Sequence, residues 1–479
     1  MNYRRVTTAD IQAMQQICSS DRVWHGQAIN DDFTHDEMPE YGKFAPDLVV
    51  EALSTDEVSS VLAYAHEHLI PVTPRGSGTG LCGGAVAIHG GIMLSLAKMN
   101  RVLEIDQENL TATIEPGVLL LEFNQLLTEH GLLYPPDPGE KTATIGGNVM
   151  TNAGGMRAIK YGVTRDYVLG MEVVLADGQV LRLGGKVAKN SSGYGLKDLL
   201  IGSEGTLGVV TQLTLKLIAL PSHVISLLVP FNTLEECVET VPKIIKSRIV
   251  PSAVEFMQRE VIEAAEQYLG KEFPDKSRDA YLLLSFDGSS AAEIERIYHQ
   301  VADLCLEAGA VDVLIANTEE RLESLWSARG AFLEAIKGST PAGLDECDVV
   351  VPRSEVARYI RFVSQLEQHG VRIRSFGHAG DGNIHIYICR DELPLSEWKR
   401  INSCVMQQLY SKVAELGGQV SGEHGIGHAK SEFLQQSLGA PGLALMHGIK
   451  QVFDPRNILN PGKILSLQAD AAHACPGRS

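Results

Sequence analysis

The segment His378-Ala379-Gly380-Asp381-Gly382-Asn383-Ile384-His385 sets two imidazoles on either side of a glycine-aspartate-glycine turn. The stretches 371–376 before it and 383–389 after it have strand character. The turn therefore predicts a hairpin that brings both rings to one end of a sheet, where such a pair can ligate a metal. A second glycine-rich loop, Gly422-Glu423-His424-Gly425-Ile426-Gly427-His428, follows a helical stretch and supplies the missing anionic ligand. Two histidines and a carboxylate that leave positions open suit Zn²⁺, Mn²⁺ or Fe²⁺ acting as a Lewis acid. A lone histidine is more often a hydrogen-bonded core or surface residue. Four of the 15 histidines fall in these two short motifs, and that clustering favours the metal reading. No H-E-x-x-H segment is present, which leaves a zincin-type protease without support.

A different chemistry sits in three glycine belts. The first is Arg75-Gly76-Ser77-Gly78-Thr79-Gly80-Leu81-Cys82-Gly83-Gly84. The second runs through Pro138-Gly139, Gly146-Gly147-Asn148 and Thr151-Asn152-Ala153-Gly154-Gly155, and the third through Asn190 to Gly195 and Gly202 to Gly208. Gly78 to Gly83 matches G-x-G-x-x-G, but a Rossmann site requires a helix directly after it. Residues 85–96 instead show strand-like alternation around His89-Gly90-Gly91. The belts fit another use: consecutive glycines can turn main-chain N–H groups inward as an anion nest, which holds a diphosphate without lysines. Asn148, Thr151 and Asn152 add amide and hydroxyl partners for a flat ligand. Three belts together predict a long dinucleotide lying in a groove.

These motifs need elements to hold them. Ser54 with Glu57 reads as a capping box opening a helix to residue 69, with Val58, Val61, Leu62, Ala65 and Leu69 on one face. Strands at 171–176 and 209–217 complete an α+β unit with glycine loops over residues 1–220. Beyond it, helices are predicted at 234–246, 291–307, 319–337, 354–367 and 398–416. Strands are predicted at 224–229, 281–286, 311–316, 348–351 and in the hairpin. They define a second domain over 221–440, followed by a C-terminal segment, 441–479, that ends in a small, polar tail from Gln468. Arg329 falls inside the 319–337 helix, where it is a solvated charge unless that helix borders the metal; there it would clamp a carboxylate.

The 479 residues ask for two or three domains, and 44% hydrophobic with 21% charged residues suits large cores. With 41 Lys and Arg against 59 Asp and Glu, the net charge of −18 argues against binding nucleic acid or anionic lipid. The eight cysteines are scattered without a C-x-x-C, so they hold no iron–sulfur cluster or structural zinc and read as reduced cytoplasmic thiols. No apolar leader opens the chain and no uncharged apolar run reaches about 18 residues, so neither export nor membrane spanning is expected.

Six motifs, in order, resemble the FAD-dependent 2-hydroxyacid dehydrogenases: Pro74 to Gly80, Ile145 to Gly155, Ile201 to Gly208, Gly377 to His385, Gly422 to Gly427, and Asn460-Pro461-Gly462-Lys463. The resemblance spans about residues 20 to 465. It is a family that includes D-lactate dehydrogenases, glycolate oxidase flavoprotein subunits and D-2-hydroxyglutarate dehydrogenases. His385-Ile386-Tyr387-Ile388-Cys389-Arg390-Asp391 looks most like the bacterial lactate dehydrogenases that pair with electron-transferring flavoprotein. The resemblance implies an α+β architecture: a vanillyl-alcohol-oxidase-type FAD-binding domain and an α+β cap domain with an antiparallel sheet. It implies FAD contacts from Pro74, Arg75, Gly76, Ser77, Gly78, Thr79 and Gly80; from Asp137, Thr144, Gly146, Gly147, Asn148, Thr151, Asn152 and Gly154; and from Glu204, Gly208, Val209 and Asn460, the last near the isoalloxazine. It implies His378, His385 and Glu423 as metal ligands, His424 as general base and Arg329 as the partner of the substrate carboxylate. Members that attach FAD covalently through the first loop place a histidine there; none lies between Pro74 and Gly84, which implies non-covalent FAD.

Departures narrow the substrate. Relatives that take dicarboxylates place a hydroxyl residue one turn after the helix arginine and a lysine shortly before the strand ending in Val-Pro. Here those places hold Leu333 and the acidic stretch Leu344-Asp345-Glu346-Cys347-Asp348. A second carboxylate would be unpaired or repelled at about 1 to 3 kcal/mol or more, which favours a small monocarboxylate such as lactate. Tyr387, where the hydroxyglutarate group carries asparagine, points the same way. The expected chemistry has a metal lowering the pKa of the 2-hydroxyl, His424 taking its proton and the α-hydrogen passing as hydride to flavin N5, leaving a 2-keto acid. Without an iron–sulfur cysteine set, the electrons must leave to a separate acceptor: electron-transferring flavoprotein, an iron–sulfur subunit or a quinone. Two rival readings differ in colour. A metal-dependent hydrolase would carry no flavin, and an electron-transfer subunit would carry flavin without responding to 2-hydroxy acids.

Overall fold

The computed structural model describes residues 3–466, so the expected tail from Gln468 lies outside them. Ser54 accepts a hydrogen bond from the Glu57 N–H and opens the helix Thr55–His68. The Glu57 side chain does not close the capping box; it pairs with Arg22 at 2.7 Å and accepts from the Leu53 N–H. Of the expected apolar face of this helix, Val58, Val61, Leu62 and Ala65 are buried against Leu48, Val50, Ile92 and Leu94, whereas Leu69 caps the helix at φ +55° and is exposed. Those residues belong to a four-stranded sheet ordered Val23–His25, Leu48–Glu51, Ile92–Ser95, Val72–Arg75, whose last three strands run parallel. Only Ile92–Ser95 of the stretch 85–96 is strand. A five-stranded antiparallel sheet, ordered Val102–Asp106, Thr111–Ile114, Val209–Lys216, Val168–Val174, Val180–Gly184, packs with the helix Leu120–Glu129 around Phe123 and Leu127.

The second half is built on seven antiparallel strands in the order Leu314–Ala316, His223–Phe231, Ala280–Gly288, Ala253–Gln258, Arg372–His378, Asn383–Cys389, Leu344–Val350. Helices cover both faces, so strands such as His223–Phe231 and Ala280–Gly288 read as near-continuous apolar runs whose members alternate between two cores. Leu282 and Leu284 pack with the helices Leu234–Lys246, Ala291–Glu307, Val356–Gln365 and Leu395–Glu415, while Leu283 packs with Arg259–Leu269, Glu319–Gly330 and Phe332–Gly338. Two helices and the hairpin's second strand fall where their spacing predicts. The helix expected over 319–337 is broken at Ala331, next to Gly330, a weak helix former. The expected strand 311–316 shortens to Leu314–Ala316.

The helix Ser431–Phe453 is kinked at Gly439, so the expected domain boundary at residue 440 falls inside an element. The chain then returns to the first sheet, where Leu459 bridges Val72 and the Asn460 N–H donates to the Val72 carbonyl at 2.7 Å. Among the described residues no helix is long and apolar enough to cross a membrane.

Candidate active site

The strands Arg372–His378 and Asn383–Cys389 pair as a hairpin in which Phe376 opposes His385 and His378 opposes Asn383. Both imidazoles therefore stand at its turn end, as the spacing predicts. His378 Nε2 lies 3.3 Å from His385 Nε2, and Glu423 Oε1 lies 3.1 Å from the first and 3.3 Å from the second. Three ligands about 2.1 Å from one ion stand about 3.0 to 3.4 Å apart, so this buried donor set fits a divalent cation with positions left open.

Carboxylates that sequence reasoning did not assign stand behind the cage. Fully buried Glu255 accepts from His378 Nδ1 at 2.7 Å and, through its other oxygen, from Arg329 Nε at 2.8 Å. Asp348 lies beside His385, with 3.5 Å between Oδ1 and Nδ1. Its other oxygen accepts from the Ser421 hydroxyl and from the N–H groups of Gly422, Glu423 and His424, all at 2.8 to 2.9 Å. Gly422 is pressed against this pair of strands: a Cβ there would stand 2.0 Å from the Asn383 side-chain amide. His424 stacks on His385 at 4.9 Å and donates from Nδ1 to Glu346 Oε1 at 2.6 Å. The signal for Glu255 was a carboxylate within a mainly apolar strand, and for Glu346 and Asp348 a run of acids leading into Val349 and Val350, since a buried charge requires a partner.

With only protein charges present, burial opposes a charged His424, and the Glu346 and Asp348 carboxylates outweigh it, raising its pKa to about 10. Burial likewise works against Glu423, yet His378 leads the groups that hold it down at about 2. The cage is thus a set of paired ions, and a neutral His424 requires a further positive charge nearby to offset its carboxylates.

A cleft joins this cage to the glycine belts. Its wall includes Pro74, Arg75, Gly76, Ser77, Gly78, Thr79 and Gly80, then Thr144, Gly146, Gly147, Asn148 and Thr151, then Glu204, Gly208 and Val209, and finally Arg329, His378, His385, Glu423 and His424. The main-chain N–H groups from Ser77 to Cys82 find no acceptor among the described residues, and the Asn148 side-chain nitrogen is buried without one. Unused donors on a cleft wall are what a diphosphate and a heterocycle would satisfy, so the residues present fit FAD.

The structure does not bring every expected residue to that wall. Asp137 pairs with Lys141 and Arg157, Asn152 accepts from the Arg165 N–H, and Gly154 backs onto Glu423. Asn460 clamps the first and third belts by donating to the carbonyls of Gly84 and Glu204. Arg75 lines the cleft, but its guanidinium donates to the carbonyls of Asp32, His35 and Ala85 and so braces the loop. Gly78, at φ +80°, permits this: a Cβ would stand 2.0 Å from that guanidinium. Glu204 turns its carboxylate to the N–H groups of Ile426 and Gly427 at 2.7 and 2.8 Å, tying the third belt to the loop that carries Glu423 and His424. Arg329 is no solvated charge. It is buried, with its guanidinium 4.6 Å from the Phe376 ring centroid.

Residues 46–195 match the FAD binding domain family and residues 220–464 the C-terminal domain of FAD linked oxidases. The chain is 51% identical over 468 residues to a D-lactate dehydrogenase of Anaerostipes hadrus, covering 96% of this chain and 98% of that one. It is 41% identical over 439 residues to the glycolate oxidase subunit GlcD of Bacillus subtilis, covering 91% and 92%. A D-lactate dehydrogenase of Archaeoglobus fulgidus is 41% identical over 87% of this chain and 91% of its own. Among solved structures, p-cresol methylhydroxylase with substrate bound gives a TM-score of 0.80 at 21% identity, over 97% of this chain and 99% of that one. The isoeugenol complex of 4-ethylphenol oxidase from Gulosibacter chungangensis gives 0.77 at 20%, over 98% and 99%. These structural likenesses establish the vanillyl-alcohol-oxidase-type α+β fold. Two adjoining domain matches and a relative aligned over nearly all of both chains make the wider assignment: the chain belongs to the FAD linked oxidases and is an FAD-dependent oxidoreductase.

Proposed function

We propose that the protein oxidises a small D-2-hydroxy monocarboxylate, D-lactate to pyruvate, and delivers the electrons to electron-transferring flavoprotein. The observation that carries this reading is the single cleft that runs from the glycine belts to the cage and passes Arg329 and His424 on the way. The D-lactate dehydrogenases among its relatives support the substrate.

The belts would hold FAD, and His378, His385 and Glu423 a divalent ion. Bound there, the flavin supplies a hydride acceptor and the ion a Lewis acid for the substrate hydroxyl. Arg329, steadied by Glu255 and by Phe376, presents a guanidinium suited to a carboxylate. His424 turns Nε2 to the cleft, where it takes the hydroxyl proton. Leu333, Phe376 and Tyr387 line the wall near Arg329 without a cation. A second substrate carboxylate would find no cation in those three side chains, only the neutral Tyr387 hydroxyl, and Glu334 beside them, paired with Lys337, adds no partner.

Anaerobic titration of the purified protein with D- and L-lactate, glycolate and D-2-hydroxyglutarate tests this. D-lactate should bleach the flavin at the lowest concentration, and D-2-hydroxyglutarate should need far more. Equal bleaching by D-2-hydroxyglutarate would overturn the substrate assignment. Failure of purified electron-transferring flavoprotein to draw electrons from the lactate-reduced protein would remove that acceptor in favour of an iron–sulfur subunit or a quinone. The rival hydrolase reading is set aside by membership of an FAD-linked oxidase family.

A further inference from the structure

Glu346 lies on the strand Leu344–Val350, opposite Tyr387 in the register, and is fully buried. It is not on the cleft wall. Its Oε1 accepts from His424 Nδ1 at 2.6 Å, and its Oε2 is buried with no hydrogen-bond partner. The positive charge nearby is Lys430, which donates to the main-chain carbonyl of Glu346, to the Tyr41 hydroxyl at 2.9 Å and to Asp345 at 3.4 Å. The carboxylate therefore spends its only side-chain hydrogen bond on one imidazole. A buried acid with half its acceptors unmet is not an arrangement that stability favours.

We infer that Glu346 is a positioning residue for His424, an inference that rests on the reaction proposed above. An ionised carboxylate can only accept, so the proton stays on Nδ1 and the lone pair of a neutral ring stays on Nε2, facing the cleft. Two further contacts remove the ring's remaining freedom. It stacks on His385 with 13° between the planes, and the His424 N–H is tied to Asp348 at 2.9 Å. Without Glu346 the neutral ring can carry its proton on either nitrogen, and only one of the two forms can take a proton at Nε2.

The experiment compares Glu346→Ala, Glu346→Gln and Glu346→Asp with the wild type as FAD- and metal-loaded proteins. Stopped-flow flavin reduction, half-saturating substrate, FAD and metal content, and the imidazole N–H proton spectrum are all measured, with His424→Asn assigning the His424 resonance. Expected are a reduction rate about 100-fold lower or more in the Ala and Gln variants, half-saturation and loading within about threefold of wild type, partial recovery in Glu346→Asp, and loss of the far-downfield Nδ1 proton from Glu346→Ala. The isosteric Gln variant keeps the test decisive if Glu346→Ala fails to fold. Wild-type rates in both variants would overturn the inference, and so would a rate loss that only tracks lost metal or FAD. If D-lactate fails to bleach the wild type, the substrate assignment falls by itself and the comparison is run with whichever 2-hydroxy acid does. If none bleaches it, the downfield proton decides: present and dependent on Glu346 supports the inference, absent refutes it.

Discussion

Glu255 joins the two halves of the proposed chemistry, because one oxygen serves His378 and the other serves Arg329. Glu255→Gln keeps the size of the side chain and removes its charge. Arg329, only 5% exposed, then loses a counterion 2.6 Å away. Breaking a buried ion pair from one side costs about 3 to 5 kcal/mol, because the remaining charge has no solvent to turn to. His378 loses the carboxylate that fixes its ring and strengthens it as a ligand, a change worth about 10- to 100-fold in metal affinity. The two effects arise at different oxygens, and two assays read them. Urea unfolding of the metal-free chain reports the buried pairs of Arg329 and His378 together, and competition for Zn²⁺ against a chromophoric chelator reports the effect on the cage as a ligand set. A variant that binds Zn²⁺ as tightly as wild type would refute the argument that Glu255 supports the cage. One that unfolds at the same urea concentration would refute the buried-pair argument.

The remaining predictions address other groups. His424→Ala should retain FAD and lose substrate bleaching by about 10² to 10⁴-fold; unchanged reduction rates in a stopped-flow experiment would remove its role as base. Arg329→Lys gives up the planar fork on which both Glu255 and a substrate carboxylate depend, so kcat/KM should fall about 10- to 100-fold, the span of a charge-assisted hydrogen bond worth about 1.5 to 3 kcal/mol. An unaltered value would place substrate binding elsewhere. Lys463, whose amine donates to the Val86 carbonyl, is pushed down to about 7 by burial. Its folded value thus lies below an unfolded value of about 10.4, and between them the unfolded chain binds the extra proton, so this group makes stability rise with pH from about 7 to 10, by up to about 5 kcal/mol. Lys463→Met should abolish that rise in urea midpoints measured from pH 7 to 9.5, and parallel curves for the two proteins would contradict the burial argument.

What was legible in the sequence follows from which interactions are local. The hairpin histidines were readable because a glycine turn between two strands fixes their separation within eight residues. The helix faces were readable because their spacing repeats every turn. Glu255 was not, because the strand Ala253–Gln258 is short and its acid is meaningful only opposite His378, more than a hundred residues away. Arg75, Asn152 and Asn460 occupy motif positions, yet their side chains hold loops to one another, while the unpartnered main-chain N–H groups are those from Ser77 to Cys82. Polar type and spacing cannot separate a residue that touches a ligand from one that shapes the wall, since both need hydrogen-bond partners and differ only in where those partners lie.

The loop from Ser421 to Gly427 shows why the site needs both halves of the chain. Its first N–H groups converge on Asp348, from the seven-stranded sheet, and its last two on Glu204, from the third glycine belt. Neither carboxylate could hold the loop alone, because each satisfies only one end of it. The N–H groups of Glu423 and His424 are themselves held by Asp348, and Glu204 fixes the loop just beyond them, tying the cage to the belt. The loop thus lies on the wall that joins the belts to the cage. A substitution at Glu204, remote in sequence from either histidine motif, should therefore disturb the cage through the loop, and Glu204→Ala is expected to weaken Zn²⁺ binding while Glu204→Gln, which retains both acceptor directions only in part, falls between it and wild type.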